Sequence, residues 1–327
     1  MAPQLGPSWN LLQGGAFTPS PPRIGKCLMK RVLIPAYLGS ALLAVLGASA
    51  PGVAQTTSVK FGVVADIGNT AGSAAVANLT RSQNVQFLVM PGDLCYDTQP
   101  FAAQLDANYS VEHAAGKLFP ALGNHEYTDP CGGGNAASGY RAYFTLPNNE
   151  RYYEFVRGPV HFFALNSYND PDGVKPNSKQ GRWLKRALAA STSPWQVVFF
   201  HHPPYSSGYH RSSAYMRWPF EQWGVDAVLN GHDHDYERVL QDADNNGVKL
   251  PYFVAGLGGK SRRPFGAVIA GSVSRYADSD GALFVTATST AMNFEFRNTA
   301  GVLIDSYSMS RAAQTQSQFE FKTPPSR

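Results

Sequence analysis

Beyond residue 54 the sequence has no surplus of charge of either sign. The chain of 327 residues carries 27 Lys and Arg against 23 Asp and Glu. Residues 1–54 hold Arg23, Lys26, Lys30 and Arg31 and no acid, so setting these four aside leaves 23 basic residues against 23 acidic ones. The apparent basicity belongs to the leader, and nothing remains to suggest a nucleic-acid surface. Cysteine is scarce as well: there are three, and Cys27 falls in the leader. The remaining Cys95 and Cys131 are poor candidates for metal ligation, because better ligands lie on both sides of them. An even pair in an exported chain suggests a disulfide, with two free thiols as the alternative. Internal repeats and linkers are also missing. About 270 residues can bury one large core, so a single domain is expected.

The leader has its own pattern. Met29-Lys30-Arg31 forms a positive cap, Val32 to Ala50 is an apolar stretch, and Gly52-Val53-Ala54-Gln55 follows with small residues. Basic, apolar and small residues in this order read as a secretory signal peptide. Pro51 disfavours a cut after Ala50, so cleavage after Ala54 is expected. An uncleaved membrane anchor is the alternative, since the apolar stretch is nearly long enough to span. Residues 1–28 are rich in Pro and Gly without periodicity, and both Met1 and Met29 stand open as starts. The expected division is a leader or early start at 1–28, a signal peptide at 29–54, a globular domain at 56–311 and a loose polar tail at 312–327. The mature protein is then exported, periplasmic or secreted, with no stable membrane span.

Within the domain, apolar β-branched runs alternate with helical patterns. Val59 to Ala65 and Val85 to Met90 read as buried strands, with a helix from Ala71 to Arg81 between them. Trp195–Phe200 and Asp226–Leu229 read as further buried strands. Tyr152–Phe155 with Val160–Ala164, and the stretch from Ala282 to Met309, read as hairpins. Alternation followed by a run of strands suggests an α/β sandwich with mixed sheets.

The polar residues of interest follow strands. The first strand runs into Asp66-Ile67-Gly68 and the second into Gly92-Asp93-Leu94-Cys95-Tyr96. A third apolar stretch ends in Gly123-Asn124-His125-Glu126. The later strands end in His201-His202-Pro203 and in Gly231-His232-Asp233-His234. Groups at the carboxyl ends of sheet strands converge on one crevice. Singly, Asp66 reads as a turn residue and Gly123-Asn124 as a turn pair. Jointly the five segments supply carboxylates, an amide, a phenol and imidazoles, a mixture that suits iron, zinc or manganese.

This series resembles the metallophosphoesterases, and specifically the purple acid phosphatases, whose pattern is DxG, GDxxY, GNH(D/E), VxxH and GHxH. Here it stands as Asp66-Ile67-Gly68, Gly92-Asp93-Leu94-Cys95-Tyr96, Gly123-Asn124-His125-Glu126, Val198-Phe199-Phe200-His201 and Gly231-His232-Asp233-His234. The likeness runs over roughly residues 58 to 310. Ala65 departs from it, standing where the family usually has glycine. The resemblance implies a four-layer α/β/β/α sandwich with two mixed β-sheets, of the compact, tartrate-resistant type, because the first motif strand begins just after the leader.

It also implies roles. Asp66, Tyr96 and His234 would hold a first metal, Asn124, His201 and His232 a second, and Asp93 would bridge them. Tyr96 as a phenolate favours Fe(III), and the second metal would be divalent Fe, Zn or Mn. The implied activity is hydrolysis of small phosphate monoesters by attack of a metal-bound hydroxide. A phosphodiesterase or nucleotide pyrophosphatase on the same metals is the alternative, and a phosphate-binding protein is the alternative of another class. The leaving alkoxide needs a proton, for which His125 is the expected donor and His210 the rival. His202 reads as a supporting or packing residue, and His113 and His161 as structural or surface groups. Gly256 to Arg263 resembles a loop of the same group. Its bases read as a solvated surface, with steering of an anionic substrate as the other possibility.

Overall fold

A computed structural model describes residues 58–96 and 98–312. The leader and signal peptide expected at 1–54 lie outside the described residues, as does the tail beyond Ala312. Among the described residues no helix is long and apolar enough to cross a membrane.

The first sheet contains β1 (Val59–Val63), β2 (Phe87–Met90) and β3 (Leu118–Pro120). The second contains β4 (Tyr153–Arg157), β5 (Val160–Ala164), β6 (Trp195–Phe199), β7 (Ala227–Asn230), β8 (Tyr236–Gln241), β9 (Leu250–Ala255) and β10 (Ser272–Tyr276). The chain then returns to the first sheet through β11 (Gly281–Ala287), β12 (Ala291–Asn298) and β13 (Leu303–Ser310). The orders are β13-β12-β11-β1-β2-β3 and β10-β8-β9-β7-β6-β5-β4. Both sheets are mixed: β1, β2 and β3 run parallel, as do β5, β6, β7 and β9, with antiparallel partners at the sides.

Phenylalanine builds the layer between the sheets. Phe61 of β1 meets Phe162 of β5 edge-on at 5.0 Å, and Phe155 of β4 stacks on Phe162 at 4.8 Å. Ring pairs in these arrangements add to the area they bury. Two outer layers cover the far faces. Helices α1 (Ala71–Ser82) and α2 (Phe101–Ala114) pack Val76, Leu79 and Leu105 over the first sheet. After two short helices, α3 (His125–Thr128) and α4 (Ser138–Tyr143), helix α5 (Lys179–Ala190) lays Leu184 and Leu188 over the second. The result is the four-layer α/β/β/α sandwich. Local chemistry agrees with it: Thr70 caps α1 by accepting from the Ser73 N–H at 3.1 Å, and Ser178 caps α5 through the Gly181 N–H.

The two parallel runs matter most for function. Parallel strands joined by crossovers point their carboxyl ends the same way, so the loops after β1, β2, β3, β6 and β7 gather at one edge. Cys95 and Cys131 form a disulfide there, with Cα atoms 6.1 Å apart, tying the loop after β2 to the segment that follows α3.

Candidate metal centre

The five loops interlock before any side chain is considered. The Asp66 N–H donates to Gly92 O at 3.2 Å, and the Ile67 N–H to Asp93 O at 2.9 Å. The Gly231 N–H donates to His201 O at 3.0 Å. Gly123 lies so close to Asp93 that a Cβ would sit 2.2 Å from Asp93 Oδ1, which excludes a side chain there. Asp66, Asp93 and His232 all have left-handed backbones, with φ of 60°, 53° and 74°. Non-glycine residues in that region carry roughly 1–2 kcal/mol of strain each. Such strain is typical of functional positions held by their surroundings.

The side chains form two adjoining groups. On one side, Tyr96 Oη lies 3.2 Å from Asp66 Oδ1 and 3.4 Å from His234 Nε2. His234 Nε2 is also 3.4 Å from Asp66 Oδ1. On the other, His201 Nε2 is 3.2 Å from His232 Nδ1. Asp93 Oδ2 touches both groups, at 3.0 Å from His201 Nε2 and 3.4 Å from Tyr96 Oη. The ligand atoms of Asp93, His201 and His232 lie within 4.8 Å of one another. Asn124 Oδ1 is buried at the same place without a hydrogen-bond partner. An orphaned amide oxygen beside two sets of acids and imidazoles is the donor set a pair of cations would satisfy, so the residues present fit a binuclear centre.

Charge reinforces that fit. Burial opposes ionisation of Asp93, yet the neighbouring His201 and His125 hold its carboxyl well below the ordinary range. Burial likewise works against charge on His201, but Asp93 overrides it and raises the imidazole to about 9. Burial and the charges of Asp66 and Asp93 push the Tyr96 phenol well above its usual value. The bare protein therefore holds protons at His201 and Tyr96 that a cation would have to displace.

Support for the ligands comes from residues whose part in the site has no signature in the sequence. Glu126 accepts from the N–H groups of Leu94, Gly123 and Asp93 at 2.7, 2.6 and 3.0 Å, joining two ligand loops through one carboxylate. Its burial and the charge of Asp93 push it up to about 7. Ser261 Oγ is 2.7 Å from His234 Nδ1, and Pro91 O is 2.9 Å from His201 Nδ1. Outer contacts of this kind set the tautomer and ring orientation of a metal-binding histidine. Glu126 stands inside a quoted motif, but nothing in its spacing reveals the three donors. The Ser261 contact spans 27 residues and has no local signature.

A cavity of about 270 Å³ opens over these groups, lined by Asp93, Tyr96, Asn124, His125, His210, His232 and His234, with Asp129, Lys260, Ser261 and Arg263 around them. His125 packs its ring on Tyr96 at 4.1 Å, and its Nδ1 is 2.9 Å from Asp129 Oδ2, outside hydrogen-bond geometry. His210 packs on His232 at 4.4 Å, and burial together with the Arg263 guanidinium lowers its pKa. His202 bonds Ser167 and packs on His232, while His113 stacks on Tyr143 and His161 meets Ser191. These last three are structural, as read. The loop at Gly256–Arg263 divides: Gly256 to Gly259 are buried, Ser261 and Arg262 are exposed, and Lys260, Ser261 and Arg263 line the cavity. A wider groove of about 590 Å³ between Trp195, Lys249 and Arg311 lies at the opposite ends of the strands.

A four-layer sandwich with acids, imidazoles and an amide converging at the parallel strand ends defines a metallophosphoesterase. The family model for calcineurin-like phosphoesterases matches residues 59–236, more than half of the chain, and the chain belongs to that family. Among curated relatives are purple acid phosphatases. Purple acid phosphatase 22 of Arabidopsis thaliana is 31% identical over 217 residues, which cover 58% of this chain and 48% of the relative. An acid phosphatase of Aspergillus ficuum is 32% identical over 176 residues, covering 46% and 26%. The chain thus spans about half the length, or less, of these curated relatives. Among solved structures, purple acid phosphatase PPD1 from yellow lupin (Lupinus luteus) seeds has a TM-score of 0.66 at 19% identity, covering 79% of this chain and 55% of that one. GAP50, described as the anchor in the inner membrane complex of Plasmodium, has a TM-score of 0.59 at 17% identity, covering 77% and 89%. These two likenesses concern the fold.

Proposed function

We propose that the chain is a binuclear metal-dependent acid phosphatase of the purple type, acting on small phosphate monoesters. The observation that carries this reading is the sharing of Asp93 Oδ2 between the His201 side and the Tyr96 side of the cavity floor. Asp66, Tyr96 and His234 would hold one ion, taken to be Fe(III) because of the phenol, and Asn124, His201 and His232 would hold a divalent Fe, Zn or Mn. When bound, such ions offset the charge of the phosphate and make water a stronger nucleophile at the pH of the reaction. The chain's own residues do the rest. Asp93 and Asp66 fix the spacing of the two groups, and Asn124 presents its amide oxygen to the cavity. His125 gives its proton to the departing alkoxide oxygen, with the Asp129 carboxylate 2.9 Å from its Nδ1 as a neighbouring charge. His210 stands on the far side of His232 as the rival donor.

Residues 29–54 are proposed as the signal peptide and Gln55 as the first residue of the exported form. The Cys95–Cys131 bond supports this reading, since such bonds persist in oxidising compartments. The test is metal analysis of the purified protein, its visible spectrum, and a screen of mono- and diesters. Two metals with turnover of monoesters are expected. A diester preference moves the assignment to a phosphodiesterase. Tight phosphate binding without turnover refutes the enzyme reading in favour of a binding protein.

A further inference from the structure

We propose that Arg263, with Lys260 beside it, forms a subsite for a second anionic group on the substrate, so that the preferred esters carry a phosphate or carboxylate besides the phosphate that is cleaved. This rests on the phosphatase reading of the neighbouring site and goes beyond it by naming the substrate class.

The loop that carries the two bases is fixed to the centre itself. The Gly258 N–H donates to Ala65 O at 3.0 Å, the Lys260 N–H to Asp66 O at 3.1 Å and the Arg263 N–H to His234 O at 3.2 Å. Two of those three carbonyls belong to candidate ligands, so the backbone that carries the bases is fixed relative to Asp66 and His234. Gly259 has φ +109°, and a Cβ there would sit 2.2 Å from Ser73 N at the start of α1. Only glycine suits that position, and it presses the loop against the helix.

Arg263 itself lacks what nearby arginines have. Arg262 points away and reaches Asp280 at 3.2 Å. Among the described residues no carboxylate lies within ion-pair distance of Arg263, and its Nε is buried without a hydrogen-bond partner. Its guanidinium lies 4.7 Å over the Tyr209 ring, which holds the planar group in place from one face. Lys260 Nζ lies 4.5 Å over the ring of Tyr96. Both side chains line the cavity that holds Asn124 and His125. The guanidinium is close enough to the centre that its charge helps to lower His210.

A half-buried guanidinium that lines the cavity and has no carboxylate partner among the described residues carries the fork that pairs with a phosphate or carboxylate. Preorganisation on a stitched loop reduces the ordering cost of binding. The cavity of about 270 Å³ has the volume of roughly nine liquid waters, room for more than one small anion.

The experiment uses the metal-loaded protein and three esters with the same three-carbon chain: propyl phosphate, propane-1,3-diyl bisphosphate and 3-(phosphonooxy)propanoate. Wild type is expected to favour at least one doubly anionic ester in kcat/KM. Arg263→Met is expected to cut the ratio of that ester to propyl phosphate by roughly 10- to 100-fold, the worth of one charge-assisted contact. Arg263→Lys keeps the charge and the stem and recovers part of the ratio, and it remains measurable if the methionine variant folds poorly. Whether the bisphosphate or the carboxylate suffers more identifies the anion. A wild type without preference, or a ratio unmoved by both variants, overturns the subsite while leaving the phosphatase reading intact. If no ester is turned over, that reading fails, and calorimetry with imidodiphosphate against orthophosphate decides the subsite by the same ratio.

Discussion

Replacing His125 by alanine removes the proposed proton donor while leaving every proposed ligand in place. The His125 backbone N–H, which donates to Asp93 Oδ1 at 2.8 Å, survives the change, so the bridging carboxylate keeps that contact. What is lost is an imidazole at the cavity wall, packed on Tyr96 with its Nε2 3.8 Å from Asp93 Oδ2. General acid help is worth about 10²–10⁴-fold where the leaving group needs it. That corresponds to roughly 3–5 kcal/mol of barrier. A simple alkoxide needs the proton; nitrophenolate is a weak base and departs without it. His125→Ala should therefore lower kcat on alkyl phosphates by about 10²-fold or more and on p-nitrophenyl phosphate far less. The assay is kcat across a series of alkyl and aryl phosphates, with metal content measured on the same samples. A log-rate plot against leaving-group pKa should be steeper for the variant than for wild type. His210→Ala is run beside it, since His210 also lines the cavity. Equal losses on all leaving groups with both metals retained would refute the proton-transfer role and leave substrate positioning. Loss of a metal would mean that the ligand had been placed one residue too early.

Other perturbations bear on the same site. Tyr96→Phe keeps a ring that is buried against His125 but loses the oxygen 3.2 Å from Asp66, so the visible absorption should disappear while circular dichroism is retained; an iron-loaded wild type without a charge-transfer band contradicts the assignment. Glu126→Gln turns an amide NH2 donor toward N–H groups that already donate, and should cost about 1.5–3 kcal/mol in denaturant unfolding of the metal-free protein; a change under about 0.5 kcal/mol would show that the three contacts are dispensable. The folded-state pKa of His201 is raised to about 9, above its ordinary 6.5, so its contribution to the metal-free fold is complete below 6.5 and lost as pH climbs through 9. Melting of stripped protein between pH 6 and 10 should show that loss, and His201→Gln should remove it from the difference curve.

The chemistry of this protein is more legible in its sequence than its architecture is. The metals' candidate ligands follow β1, β2, β3, β6 and β7 because parallel strands deliver their ends to one edge, and short motifs record that placement. β1 and β2, the hairpin of β4 with β5, and the β11–β13 run were visible as apolar runs, although β1 stops at Val63 and β2 begins at Phe87. The pairing of β1 with β11, Val59 opposite Ala287, joins segments too far apart for periodicity to reveal. The four layers came from the family likeness. Helix α2 has a kink at Tyr109 and scarcely any apolar stripe, so its pattern was faint. The face that Arg263 presents depends on backbone bonds to Ala65, Asp66 and His234, which no local pattern of bases records.

Asp66, Asp93 and His232 hold left-handed backbones because the loops around them leave no other course. Selection at these positions acts on two things at once, the ligand atom and the shape of the chain. Asparagine and glycine suit that shape better than most residues, but asparagine lacks the charge and glycine the side chain. Glutamate has the charge on a longer arm. Conservative exchange, as judged by side-chain type, is therefore a poor guide to what these positions tolerate. The same strain gives the site a direction of drift. A descendant freed from the proposed hydrolysis would relax its backbone by discarding the acids, since catalytic residues are kept at some expense to stability. Decay of the activity would then proceed without a stability barrier and leave the sandwich standing for another use.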